Sequence, residues 1–192
     1  MAMSNIATVF NDYYHNMSPS EVTKSISILV KSTTHLSKML ENLLQWSRVS
    51  VGSIEINFEQ QNFEQIVDVS FNDIQVQAEN KNIKLIFENH YSADVICDPD
   101  MINTILRNLI SNAIKFSEYG KNIFVRIEEY LSDDKFVLVT VRDEGVGMNP
   151  DTLNNLFRTD SKISTKGTAG EAGTGLGLIL CKEFIDKHNC KI

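Results

Sequence analysis

The chain is poor in several residue types, and each shortage removes a class of protein. Of its 192 residues only Cys97, Cys181 and Cys190 are cysteines. An odd number without paired spacing supports neither a disulfide framework nor a zinc site, and it fits a reducing, cytoplasmic setting. Basic residues are in the minority, 18 against 25 acidic, for a net charge of -7. A general affinity for nucleic-acid phosphates needs a basic face, so no nucleic-acid partner is expected. No apolar run approaches the roughly 20 residues that cross a bilayer. The start lacks the charged and apolar regions of a signal peptide, so no membrane contact is expected of this segment. Proline is scarce too: Pro19, Pro99 and Pro150 each stand where a helical pattern begins, the position at which a missing N–H costs nothing.

What remains is 42% hydrophobic, enough for one domain with its own core and a smaller appendage. Ile6, Val9, Phe10, Tyr13 and Tyr14 recur at helical spacing. Ser18-Pro19-Ser20-Glu21 then reads as the capped start of a second helix. In that helix Ile26, Leu29, Thr33, Leu36, Leu40 and Leu43 alternate by three and four, a bundle seam that a second copy of the chain would close, or that would pack on the chain's own globular part. The pattern changes near residue 52. A strand is expected at Ile54, Ile56 and Phe58, a helix from Phe63 to Ala78, a turn at Asn80-Lys81-Asn82 and a strand from Ile83 to Phe87. Asp98-Pro99-Asp100 caps a long helix to about Phe116, and alternation at 123–127 and 137–141 makes a hairpin whose second strand delivers Asp143. Asn149-Pro150 opens a short helix to Phe157, Arg158 to Ala172 is loop by composition, and a last helix starts near Thr174. His90 and His188 read as surface or helix-end residues.

Three segments carry chemistry. Asn108, Asn112 and Lys115 fall at i, i+4 and i+7, a polar stripe on an otherwise apolar helix. An amide oxygen is a hard neutral ligand suited to Mg²⁺ beside phosphate oxygens, with Lys115 complementing their charge; a solvated helix face is the alternative. Asp143, before Gly145 and Gly147, is an acceptor-only group able to take the adenine amino hydrogen while the glycines let the backbone approach the base; a tight Asp-Gly turn is the alternative. Gly173, Gly175 and Gly177 lie just before and in the first turn of the last helix, where unpaired N–H groups attract phosphate. In this order the segments describe a Mg-ATP site.

Together these motifs resemble the ATP-binding domain of sensor histidine kinases, in the superfamily that includes type II topoisomerases and the heat-shock chaperone and mismatch-repair ATPases. The likeness runs from Leu40-Glu41-Asn42-Leu43-Leu44-Gln45-Trp46-Ser47-Arg48 to the last glycine cluster. It implies an α+β fold, a two-layer Bergerat-type sandwich of a mixed sheet with helices on one face, preceded by a helical hairpin. It divides the chain into a partial dimerisation hairpin, 1–52, and an ATP-binding catalytic domain, 53–192. By the same likeness Asn112 is the metal ligand, Asn108, Lys115 and Phe116 flank the phosphates, and Asp143, Gly145 and Gly147 hold the base. Phe157 and Arg158 open an ATP lid carrying Lys162 and Lys166, and Gly173, Thr174, Gly175, Leu176, Gly177 and Leu178 close it around phosphate.

Asn108 and Lys115 are the expected catalytic pair, because superfamily members that hydrolyse ATP carry a glutamate at position 108 as general base and a neutral amide cannot serve. The resemblance implies ATP and Mg²⁺ as cofactors. It also implies transfer of the γ-phosphoryl to a histidine and onward to a response-regulator aspartate, with a second copy and a receiver domain as partners. The rivals are a nucleotide-responsive dimerisation module, an anti-sigma-type serine kinase and an ATPase. No histidine of this chain, His15 included, fits the phospho-acceptor, so the chain is expected to begin after it. The family's strand pair after the last helix is also expected to be missing.

Overall fold

The computed structural model describes residues 8, 17–50, 55–92, 94–132, 135–158, 165–171 and 173–192, with the backbone alone at 35, 38, 41, 42, 45, 46 and 48–50. Of the expected first helix only Thr8 is described, and it is helical; His15 and Lys162 lie outside these residues. The chain divides into two compact units, Met1–Arg48 and Val49–Ile192.

The first unit is dominated by α1, Pro19–Ser50, of 32 residues, which at 1.5 Å per residue is about 48 Å long. Its start is a capping box: the Ser18 N–H donates to Glu21 Oε2 at 2.8 Å, the Ser18 hydroxyl donates to the same oxygen at 2.7 Å, and the Glu21 N–H donates to Ser18 Oγ. Ile26, Leu36, Leu40 and Leu43 are exposed on this helix.

In the second unit, β2 (Lys84–Asn89), β4 (Asn122–Glu129) and β5 (Val137–Asp143) form a mixed sheet, β2 parallel and β5 antiparallel to the central β4. Period-two alternation puts Ile123, Val125 and Ile127 of β4 on one face, all fully buried. Against that face pack α2 (Phe63–Asn80) and α3 (Pro99–Phe116), whose Ile66, Val67, Ile74, Leu106, Ile110 and Ile114 complete the core. Asn62 caps α2 by accepting from the Glu64 N–H. Asp98 caps α3 by accepting from the Met101 N–H, with Pro99 in the first turn as the sequence predicts. On the opposite side of α3, Met101 and Ile105 meet Leu180, Cys181 and Phe184 of the final helix, Gly177–Lys187. That helix is α5, and α4 is the short Pro150–Asn154, capped by Asn149.

Two details differ from the sequence expectation. The strand expected at Ile54, Ile56 and Phe58 lies further on: residues 55–58 carry no regular element, and β1 is Glu59–Gln61, paired antiparallel with β3, Val95–Cys97. Ile56 packs beside the cluster between α3 and α5 instead. His188 does stand at a helix end, capping the last helix, but it is buried there. The Asp98 backbone N–H can only donate, so His188 Nε2 accepts it at 3.1 Å. The imidazole proton therefore sits on Nδ1, which donates to the Phe184 carbonyl at 2.7 Å. Burial pushes the Cys97 and Cys181 thiols up to about 11 and about 12, so both are protonated core groups.

Candidate functional site

Helix α3 is the axis of the site. One face is core, and the next carries the partly exposed Asn108, Asn112 and Lys115. The stripe exists because these positions are one and two turns apart on a helix whose sheet-facing residues, Leu106, Ile110 and Ile114, occupy the opposite phase. Asn108 Nδ2 donates to the Thr104 carbonyl one turn back at 3.0 Å, which aims Oδ1 away from the helix backbone. Asn112 makes no side-chain hydrogen bond among the described residues, so its amide oxygen has its acceptor capacity in hand.

Both glycine segments come to this helix by close approach. At the C-terminal end, the Val146 N–H donates to the Phe116 carbonyl at 3.2 Å, and a β-carbon on Gly145 would stand 2.5 Å from that same oxygen. Any side chain at 145 would push the Asp143–Gly147 loop off α3. Asp143 ends β5, paired with Ile123 of the central strand. It is exposed, and its Oδ1 accepts from the Gly145 N–H at 2.9 Å, leaving Oδ2 for a ligand donor. Two turns nearer the start of α3, a β-carbon on Gly177 would stand 2.8 Å from Asn108 Oδ1. Gly177 is the first residue of α5, so Asn108 lies against the N-terminal turn of that helix.

The structure therefore brings Gly145 to Phe116 at the end of α3 and Gly177 to Asn108, with Asp143 beside Gly145. Gly173, Thr174, Leu176 and Leu178 are partly buried around the start of α5, where the Leu176 N–H donates to Thr174 Oγ1. Gly147 and Gly175 are exposed. Phe157 is partly buried and Arg158 exposed beyond α4, and Lys166 is exposed.

Lys115 differs from a freely solvated phosphate partner. Its Nζ donates to the Thr165 carbonyl at 2.7 Å and lies 4.6 Å from the Phe116 ring centroid. Burial lowers its pKa, opposed by the nearby Glu171 carboxylate. Sequence reasoning missed Lys81, Thr168 and Glu171, which meet at the end of α3. The sign was faint: Glu171 is one of two acids, with Asp160, in a loop built mainly of small, hydroxylated and basic residues.

Chemically, the arrangement offers a neutral oxygen ligand at Asn112, a helix N-terminus beside Asn108, cations at Lys115 and Lys166, and a carboxylate acceptor at the far end of α3. That set fits a hydrated divalent cation held with phosphate, and an amino-bearing base.

Residues 97–192 match the family described as histidine kinase-, DNA gyrase B- and HSP90-like ATPase. The sensor protein SrrB of Staphylococcus aureus strain MRSA252 is 28% identical over 174 residues, covering 91% of this chain and 29% of that protein. The chain thus spans less than a third of the length of this curated relative. Among solved structures, the Acinetobacter baumannii histidine kinase AdeS shares the fold at a TM-score of 0.74 and 22% identity, over 96% of this chain and 82% of that one. The histidine kinase ThkA, solved in complex with response regulator protein TrrA, has a TM-score of 0.69 at 20% identity, over 98% and 53%. The chain belongs to the histidine kinase-, DNA gyrase B- and HSP90-like ATPase family, and the solved structures whose fold it shares are histidine kinases.

Proposed function

We propose that this domain holds Mg-ATP on α3 and presents its γ-phosphoryl group to a histidine of the same protein or its dimer partner, from which the group passes to a response-regulator aspartate. The observation that carries this reading is the convergence of two glycine segments on one helix: Gly145 against the Phe116 carbonyl and Gly177 against Asn108, with Asn112 between them. The Asn112 amide oxygen holds the Mg²⁺, and the cation neutralises phosphate charge when bound. Lys115 and the glycines of 173–177 take the phosphates, Asp143 accepts from the adenine amino group, and 157–172 form the lid. In the transfer, the imidazole nitrogen forms a bond to the γ-phosphorus as the bond to the β–γ bridging oxygen breaks and ADP leaves. The aspartate carboxylate then takes the phosphoryl from histidine.

Asn108 favours transfer over hydrolysis. Its amide is neutral, its Nδ2 is committed to Thr104, and it cannot take a proton from water. The exposed Ile26, Leu36, Leu40 and Leu43 of α1 support residues 1–52 as a dimerisation hairpin and 53–192 as the ATP-binding domain. None of His15, His35, His90 and His188 is assigned as the phospho-acceptor.

The test uses the full protein with γ-labelled ATP. Label on protein that survives alkali and is lost in acid is the expected result, since phosphohistidine has that lability. Steady phosphate release with no labelled protein would replace this reading with that of an ATPase.

A further inference from the structure

Lys81 follows directly after α2, and its residue is only 4% exposed. Its ammonium donates to the Ile114, Lys115 and Ser117 carbonyls at 2.9, 3.1 and 3.2 Å and to Thr168 Oγ1 at 2.8 Å. It also pairs with Glu171 Oε1 at 2.6 Å. The three carbonyls belong to the end of α3, where a helix leaves acceptors unpaired and its dipole is negative. A buried ammonium is tolerable there because every direction around it is an acceptor.

The lid side of the cluster is equally committed. The Thr168 N–H donates to the Lys115 carbonyl at 3.0 Å, and its hydroxyl, accepting from Lys81, donates to the Ser117 carbonyl at 2.6 Å. Glu171 Oε2 accepts from the Ala169 N–H at 2.9 Å, and the Glu171 carbonyl accepts from the Gly167 N–H at 2.9 Å. Gly167 itself has no room for a side chain, since a β-carbon would stand 2.6 Å from the Lys115 carbonyl oxygen. A segment that reads as loop by composition is thus a knot tied to the last turn of α3.

The knot lies just ahead of the glycine box. Glu171 is fixed at the C-terminal end of α3 and Gly177 at Asn108, so only residues 172–176 connect the two anchors, alongside the helix that carries Asn112. We propose that Lys81 is a positioning residue for the phosphoryl-transfer site: its ion pair with Glu171, closed through Thr168, fastens the end of the lid to α3 and thereby sets the glycine box for the triphosphate. This inference rests on the function proposed above.

The test compares wild-type protein with Glu171→Gln, Thr168→Val, Thr168→Ser and Lys81→Met, titrated with a non-hydrolysable ATP analogue and followed by amide hydrogen exchange. Glu171→Gln and Thr168→Val weaken analogue binding by on the order of tenfold, the scale of a contact within one polar network. They also expose the Gly167, Thr168 and Ala169 amides, while thermal unfolding remains cooperative. Thr168→Ser, which keeps the hydroxyl, restores both readouts. Lys81→Met removes a core partner, so if it fails to fold, the two lid variants decide. Wild-type affinity in folded Glu171→Gln and Thr168→Val overturns the positioning role and leaves the nucleotide site standing. Absence of binding by the wild type overturns both.

Discussion

Asn108 and Gly177 are in contact across α3 and α5, and the contact leaves no space for a β-carbon at 177, which would stand 2.8 Å from Asn108 Oδ1. Gly177 is already helical, and alanine is favoured over glycine in a helix by about 1 kcal/mol. Gly177→Ala therefore changes thermal stability little, because the terminal atom of the Asn108 side chain can swing aside. It displaces the amide that faces the first turn of α5, so affinity for ATP falls. Adding Asn108→Ala to Gly177→Ala relieves the crowding without restoring affinity. A Gly177→Ala protein with wild-type nucleotide affinity would show that this contact is packing alone.

Asn112 is the proposed metal ligand. Asn112→Ala removes an oxygen ligand without touching the core face, so binding in EDTA is unchanged and the strengthening by Mg²⁺ is cut by on the order of tenfold or more. Calorimetry with and without the metal reads this directly, and an intact Mg²⁺ effect removes the assignment.

Asp143 is predicted to choose the base. Asp143→Asn keeps an acceptor for the Gly145 N–H but gives up a charged acceptor, a loss of about 1.5–3 kcal/mol, or roughly ten- to a hundredfold in adenine-nucleotide affinity. Its new N–H₂ can donate to guanine O6, so competition by guanine nucleotides improves. Unaltered discrimination between ADP and GDP would return Asp143 to the role of a turn residue.

Acid loosens the lid knot. Burial acts to raise the Glu171 carboxyl, but the Lys81 hydrogen bond and the backbone donors outweigh it and hold the group below its ordinary 4.5; Lys81 and Lys115 are the cations facing it. A folded pKa below the unfolded one stabilises above the unfolded value, and the gain is lost as pH falls through the folded pKa. The thermal midpoint of wild type should exceed that of Glu171→Gln by a constant margin from neutral pH down to about 5, and the margin should close below 4.5. A gap that persists in stronger acid would mean that the glutamine acts by shape, not charge.

Much of the site is legible from local rules. Asp98-Pro99 gives the start of α3, the core periodicity gives its buried face, and the residue spacing gives the polar stripe. The alternation of β4 and β5 puts Asp143 at a strand end, as the structure does. What escaped depends on partners distant in sequence. β1 and β3 are three residues each, too short to show a period, and they exist only as a pair. His188 is buried because Asp98, ninety residues earlier, donates to it. Lys81 looks like any turn lysine until the end of α3 and Glu171 are brought around it. Ion pairs closed across such separations leave no mark on periodicity, and composition points the wrong way for the stretch 167–171, where every residue is hydrogen-bonded.

The most direct test of the central claim, that α3 and the two glycine segments form one Mg-ATP site, is calorimetric titration of the purified chain with ADP and with a non-hydrolysable ATP analogue, each with and without Mg²⁺. Saturable binding at one site per chain, stronger with Mg²⁺ and weakened by Asn112→Ala, is the predicted result. No binding of either nucleotide by the folded chain would contradict it.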